Sequence, residues 1–373
     1  MSGSERAESP APRPAHTAIS VRAGLALVLV VLGVSAVALL HLVEVPKVIY
    51  RPGPAYDTLG ELNGHPVVMV DGAQTYPTSG SLDFTTITLS GGPRFPVSAW
   101  DWLAALVDPT TAVQDEEDVF PPDVSAEQIR EQNVELMQNS QQGAAVVALR
   151  ALGETVPEQV KVAQVIVDAP ADGVLRVDDE VRSVDGQDIA TPDDVRDVLQ
   201  GFDPGDEVSF ELVRDGEQRS IDVPTGEGDA PEGESEGPTI IGVYLASDFE
   251  LPYEVTIDAG NVGGPSAGLM FSLALYDTLT PGELTGGQEI AGTGAITSEG
   301  TVLPIGGIQQ KMIGADRAGA DYFLAPADNC GEVVGHEPDG MTVASVQDFA
   351  QAREVVEALA SGETDGLPTC EVS

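Results

Sequence analysis

From Ala23 to Val43 the chain carries no formal charge and is dominated by aliphatic side chains. A helix of about 20 such residues spans roughly 30 Å, the thickness of a bilayer core. Arg6, Arg13 and Arg22 precede it. The positive-inside rule then predicts a cytoplasmic tail (1–22), a transmembrane helix (23–43) and an extracytoplasmic remainder after Glu44, single-pass in the cell membrane. The competing expectation is a cleaved signal peptide with Ala36-Val37-Ala38 as its cleavage signal. The run is long for a signal peptide and that tripeptide falls inside it, which favours the anchor.

Composition excludes several classes. The chain of 373 residues has 61 acidic against 17 basic residues, a formal charge of -44. Nucleic-acid binding needs clustered Lys and Arg and is not expected; the acidity fits a highly solvated surface. Of four histidines, His16 lies in the tail and His41 in the apolar run, leaving His65 and His336, so a histidine-rich metal site is not expected. Two cysteines, Cys330 and Cys370, cannot build a zinc site alone but would form a disulfide outside the cytoplasm. Lysine is scarce: Lys47, Lys161 and Lys311 are the whole set.

Beyond the anchor, a membrane-proximal segment (44–155) opens with Arg51-Pro52-Gly53-Pro54 and strand-like runs at Pro66–Val70 and Ser81–Leu89. An acidic loop with Pro121-Pro122 leads to Ser125, a candidate N-cap with Gln128 three residues on, and a helix predicted from Ala126 to Leu152. Residues 156–225 form a punctuated unit. Asp185-Gly186 is a hairpin signal, Thr191-Pro192 with Asp193 and Asp194 starts a helix, and Asp215-Gly216 turns between two strands. Together with Ala169-Pro170-Ala171, Leu175, Asp179 and Pro204-Gly205, this order resembles a PDZ domain of the kind attached to bacterial proteases. No glycine-rich loop precedes Val160, so C-terminal recognition is not implied. Gly226–Gly237, rich in Glu and Gly without large aliphatic side chains, predicts a flexible acidic linker.

The chemistry is concentrated in 238–373. Gly263-Gly264-Pro265-Ser266-Ala267-Gly268 precedes Leu269–Leu275, which is apolar all round and predicts a buried helix. Ser266 at its N-terminus is either an N-cap or a nucleophile whose oxyanion the free N–H groups would stabilise. Lys311 follows a glycine turn among Ile308, Met312 and Ile313. Burial there, and the helix end beside Ser266, would lower its pKa and let it act as a base.

These segments resemble the proteolytic domain of the Lon family: Gly-Pro-Ser-Ala-Gly at 264–268, Thr293-Gly294, Val302–Ile308 leading into Lys311, then Arg317-Ala318-Gly319. The resemblance implies a Ser266–Lys311 dyad with an orienting hydrogen bond from Thr293. The whole arrangement resembles the membrane-anchored PDZ–Lon proteases of bacteria. The acid that precedes Gly-Pro-Ser in many Lon proteases is Gly263 here. No Gly-x-x-x-x-Gly-Lys phosphate loop is present in the chain, so the expectation is an ATP-independent serine endopeptidase without cofactor or nucleotide. Its partners would be protein or peptide substrates presented by the PDZ domain, and the membrane through 23–43.

Two alternatives stay open. One is a PDZ-bearing membrane scaffold with an inactive Lon fold. The other is a Ser-His esterase, since 264–268 also fits Gly-x-Ser-x-Gly with His336 downstream. The expected fold is α+β. Gly80–Thr86 and Met137–Ser140 with Ala144-Ala145 resemble Lon elements that precede the serine, so the Lon-type domain would hold an inserted PDZ domain.

Overall fold

The computed structural model describes residues 21–92, 95–120, 124–230 and 237–371. The tail 1–20 with Arg6 and Arg13, the Pro121-Pro122 loop and the linker centre 231–236 lie outside the described residues. The chain divides into two compact units, Met1–Pro52 with Thr88–Ala126, and Gly53–Ile87 with Glu127–Ser373.

In the first unit, α1 (Val21–Leu42) covers the apolar run. Its residues from Gly24 to Leu42 are long and apolar enough to cross a membrane, a property that a signal sequence shares. The chain then pairs Glu44–Val45 antiparallel with Val97–Ser98 and enters β1 (Lys47–Asp57), whose first residues pair with Ala112–Asp115. Helix α2 (Ala99–Ala105) is capped by Ser98, whose hydroxyl accepts the Asp101 N–H. Ile49, Val97 and Ala105, with Trp102 and Val113, make a small core.

The second unit contains two sheets. Its elements begin with β2 (Val68–Asp71), β3 (Ser81–Ser90) and the long α3 (Ala126–Ala151). The single strand expected at Pro66–Val70 is broken at Val67. His65–Pro66 pairs with Glu61–Leu62, whereas Val68–Asp71 pairs with Glu254–Ile257, because the fully buried Val67 belongs to the core. Next come β4 (Glu158–Val165), β5 (Glu180–Val184), α4 (Pro192–Leu199), β6 (Glu207–Arg214), β7 (Glu217–Pro224) and β8 (Val243–Phe249). Turn chemistry sets these boundaries. Asp185-Gly186 and Asp215-Gly216 adopt positive φ at both residues, as a two-residue hairpin of matching twist requires. Thr191 and Asp194 form a reciprocal capping box on α4.

The first sheet runs β7-β6-β5-β4-β8. The domain boundary expected near 225–238 is therefore corrected. β8 pairs with β4 from Val243↔Val165 to Phe249↔Glu158, and Ile241, Val243 and Leu245 pack with Val160, Val181 and Phe210. A strand assigned by sequence to the proteolytic part completes the PDZ-like sheet, since without it β4 would lose its outer partner. The acidic stretch is also pinned at its start, for Gly226 and Glu227 pair with Ile240 and Thr239.

The remaining elements are β9 (Glu254–Ile257), α5 (Gly268–Leu279), β10 (Glu289–Gly292), α6 (Ile308–Ala318), β11 (Tyr322–Pro326), β12 (Thr342–Val346) and α7 (Phe349–Ala360). The second sheet runs β12-β11-β10-β3-β1 within this unit, its first four strands parallel. A parallel sheet is normally covered on both faces, and side-chain alternation does that here. Leu82, Phe84, Ile290, Leu324 and Val346 face a core shared with α3, α5 and α7. Ala291, Phe323, Ala325 and Val343 face the opposite way, onto Ile308, Met312 and Ala315 of α6.

Candidate active site

Ser266 is held by what surrounds its backbone. Helix α5 is buried along nearly its whole length, with Leu269, Met270 and Phe271 packed against Phe84 of β3 and Met137 of α3. Its N-cap is Ala267, so Ser266 stands just outside the helix and is not the cap that spacing alone allowed. The Ser266 carbonyl accepts the Gly294 N–H at 2.8 Å and the Thr293 hydroxyl at 2.9 Å. One residue earlier, the Pro265 carbonyl accepts the Ser140 hydroxyl at 2.8 Å, and the Gly264 N–H donates to Asn133 O at 3.0 Å. A Cβ at Gly268 would lie 2.7 Å from Ser140 Oγ and 2.8 Å from Ile296 Cγ2, closer than side chains approach. Glycine there lets α3 and the Ile296 segment close on the serine. At Gly263, where the family pattern has an acid, a Cβ would stand 3.2 Å from that of Asn133.

Lys311 comes from the other face of the sheet. Gly307, at a φ of 72°, starts α6, and Ile308, Lys311, Met312 and Ala315 fall on one buried stripe. The lysine is only 2% exposed. Its Nζ stands 2.7 Å from Ser266 Oγ and 2.9 Å from Thr293 Oγ. Burial pushes its pKa from 10.5 down to about 7, because an ammonium is costly to desolvate.

Thr293 does more than brace the backbone. Its hydroxyl has one proton, and that proton points to the Ser266 carbonyl, so toward Lys311 it can only accept. A neutral amine therefore directs an N–H at Thr293 and its lone pair toward Ser266. Proton transfer over such a distance needs no rearrangement. His336, by contrast, is exposed beyond the short Cys330–Val333 helix. Among the described residues its side chain makes no hydrogen bond to Ser266, which removes the geometric basis of the esterase alternative.

A family model described as the Lon protease (S16) C-terminal proteolytic domain matches residues 253–359, and a PDZ domain model matches 132–225. The chain carries a Lon-type proteolytic domain and a PDZ domain. Lon protease 1 of Sorangium cellulosum is 48% identical over 77 residues, 20% of this chain and 9% of that protein. Lon protease 1 of Bacillus subtilis is 43% identical over 89 residues, 23% and 11% respectively. The chain thus spans about a tenth of the length of these curated relatives. The PDZ domain of the SdrC-like protein of Listeria monocytogenes is 24% identical, covering 23% of this chain and 85% of that one, with a TM-score of 0.21.

The Lon match starts at 253, directly after β8. The PDZ match starts inside α3, whose buried Met137 and Ala144 face the Lon-type core, and ends before β8 is reached. No glycine-rich loop precedes Val160. The PDZ sheet instead has Ile240-Ile241-Gly242-Val243 leading into its edge strand β8, with Gly242 at a φ of 78°. A glycine between aliphatic residues before a strand is the sequence signal for it, and it lies beyond the acidic stretch, outside the segment that resembles a PDZ domain.

Cys330 and Cys370 form a disulfide with a sequence separation of 40, and among the described residues no cysteine is free. A loop of this length stabilises the folded state by roughly 4 kcal/mol on the chain-entropy estimate. Thiol labelling of native, non-reduced protein is expected to modify neither residue, and reduction to lower the melting temperature. Two reactive thiols before reduction would contradict the pairing.

Proposed function

We propose that this protein is a membrane-anchored, ATP-independent serine endopeptidase whose dyad is Ser266 and Lys311, acting on extracytoplasmic proteins or peptides. The observation that carries this reading is the 2.7 Å approach of a buried lysine, its pKa near 7, to the Ser266 hydroxyl. Neutral Lys311 takes the hydroxyl proton as Oγ bonds to the scissile carbonyl carbon, giving a tetrahedral oxyanion. The Ser266 and Ala267 N–H groups, which have no acceptor among the described residues, offer it stabilisation, whereas those of Gly268 and Leu269 already donate to the Pro265 and Gly294 carbonyls. Collapse breaks the C–N bond, and the Lys311 ammonium returns the proton to the leaving amine. Water, deprotonated by the same amine, then hydrolyses the acyl ester and regenerates Ser266.

The anchor reading is supported by α1 and by the arginines before it, and the disulfide is in keeping with an oxidising compartment. The inserted arrangement is supported by the parallel pairing of β10 with β3, two strands separated in sequence by the PDZ domain. An inactive scaffold is the remaining alternative. A serine-directed activity probe on the intact protein separates the two. Wild type is expected to be labelled and Ser266→Ala is not; an unlabelled wild type would favour the scaffold.

The pH profile follows from the sign of the lysine shift. The reactive form is the neutral amine, so kcat/KM is expected to rise about tenfold per pH unit below pH 7 and to level off above it. Initial rates on a fluorogenic peptide between pH 5 and 9 measure this. A rate that falls as pH rises through 7 would contradict Lys311 as the base.

A further inference from the structure

Both tryptophans of the sequence, Trp100 and Trp102, lie in α2, and α2 is fastened to the exit of the apolar helix α1. The Ala99 N–H donates to the Val43 carbonyl at 2.7 Å, Val97–Ser98 pairs with Glu44–Val45, and the ring centroids of Trp100 and His41 are 5.5 Å apart. The helix has two apolar faces. Ala99, Trp102 and Ala105 turn toward the small core of Ile49, Val97 and Val113. Trp100 and Leu103 of the helix, with Leu106 and Val107 in the turn that follows it, are 40%, 42%, 58% and 82% exposed. Four exposed apolar side chains within eight residues are more than a soluble surface usually carries.

We propose that this outward face of α2 is a membrane-interface element, seated in the headgroup layer of the leaflet from which α1 emerges, with Trp100 at its polar–apolar boundary. The inference rests on the anchor reading above. The occupant follows from continuity. If α1 spans the bilayer and ends at Leu42, the headgroup layer lies at the level of His41, and a ring packed against His41 lies in that layer. Tryptophan favours this depth because its ring is apolar and its N–H needs a polar partner. Charge plays no part in the recognition. From Phe95 to Asp115 there is no Lys or Arg, and the chain as a whole is strongly acidic, so insertion relies on aromatic and aliphatic contact and not on anionic lipid.

The test uses the full chain reconstituted in phosphatidylcholine vesicles. In Trp102→Phe, Trp100 is the sole tryptophan. Its emission is expected to be blue-shifted, quenched by lipids brominated near the top of the acyl chain more than by those brominated near its end, and shielded from aqueous iodide. Adding phosphatidylglycerol is expected to change none of these. As a second readout, independent of how Trp102→Phe folds, Trp100→Phe in the otherwise native chain is expected to lose most of the bromolipid quenching of wild type. Alkaline carbonate extraction of the same vesicles reads the anchor separately. Protein that resists extraction while Trp100 is quenched by iodide and not by bromolipid would overturn the interface element alone. Protein released by carbonate, with Trp100 in water, would overturn the anchor and the interface together. A blue shift without bromolipid quenching would mean that a protein surface, such as a second copy, covers the face, and would also overturn the proposal.

Discussion

Replacing Lys311 with methionine is expected to abolish peptide hydrolysis and at the same time to make the protein more resistant to heat. The loss of activity follows from removing the proposed general base, a role that contributes typically 10²–10⁴-fold. Ser266→Ala is expected to remove turnover altogether, while His336→Ala leaves it unchanged, because His336 sits exposed and has no hydrogen bond to the serine. The gain in stability comes from the same burial that tunes the base. In the unfolded chain the lysine titrates at its ordinary 10.5, whereas in the folded chain burial brings it to about 7. Between those values the unfolded state binds the extra proton. The contribution of Lys311 to folding stability is therefore most favourable above pH 10.5, worsens as pH falls toward 7, and stays at its least favourable below that. Methionine fills a similar volume without a charge. Even after the hydrogen bonds to Ser266 and Thr293 are lost, Lys311→Met is expected to be more stable by about 2 kcal/mol at pH 7. The advantage should shrink as pH approaches 10. Thermal melts of both proteins at pH 7 and pH 10 measure it. A methionine variant less stable than wild type at pH 7 would mean that Lys311 is not desolvated in the way its surroundings imply.

The fragment 253–373, the whole region matched to the Lon family and more, is expected not to fold by itself. It contains α5, β10 and the dyad but lacks β3 and α3, which supply Leu82, Phe84, Met137, Ala144 and Val147 to the core around the nucleophile helix. Losing several large core side chains at once costs far more than the net stability of a domain, since each Leu or Phe contributes about 2–5 kcal/mol. The reverse deletion should be tolerated. Glu158 and Phe249 face each other at the ends of β4 and β8, and the Glu250 N–H donates to the Pro157 carbonyl at 3.0 Å. The two chain ends of the PDZ unit are thus adjacent. Joining Val156 to Leu251 through a short Gly/Ser loop should leave a protein that melts cooperatively and cleaves a small peptide, though not one that depends on PDZ presentation. A cooperatively folding, active 253–373 fragment would refute the insertion.

What the sequence determined by itself was local. The uncharged run defined α1 to within two residues, Ser125 and Gly153 bracketed α3, and the Asp-Gly turns and the Thr191 box marked the PDZ elements. The proposed Ser266–Lys311 pair could be picked out because Ser266 sits in a short glycine-rich entry and Lys311 is the sole lysine of the C-terminal half. The tertiary structure decided the partners. Periodicity reports that one face of a strand is buried but not against what. Thus β3 gave no sign of its pairing with β10, about 200 residues away, and β8 gave none of its place beside β4 across the acidic stretch. Nor does any local pattern determine that Thr293 accepts from the lysine while donating to the serine carbonyl. That relation exists only once α5 and α6 are brought to opposite faces of one parallel sheet, and burial in that position takes Lys311 from an ordinary ammonium to an amine near neutral pH.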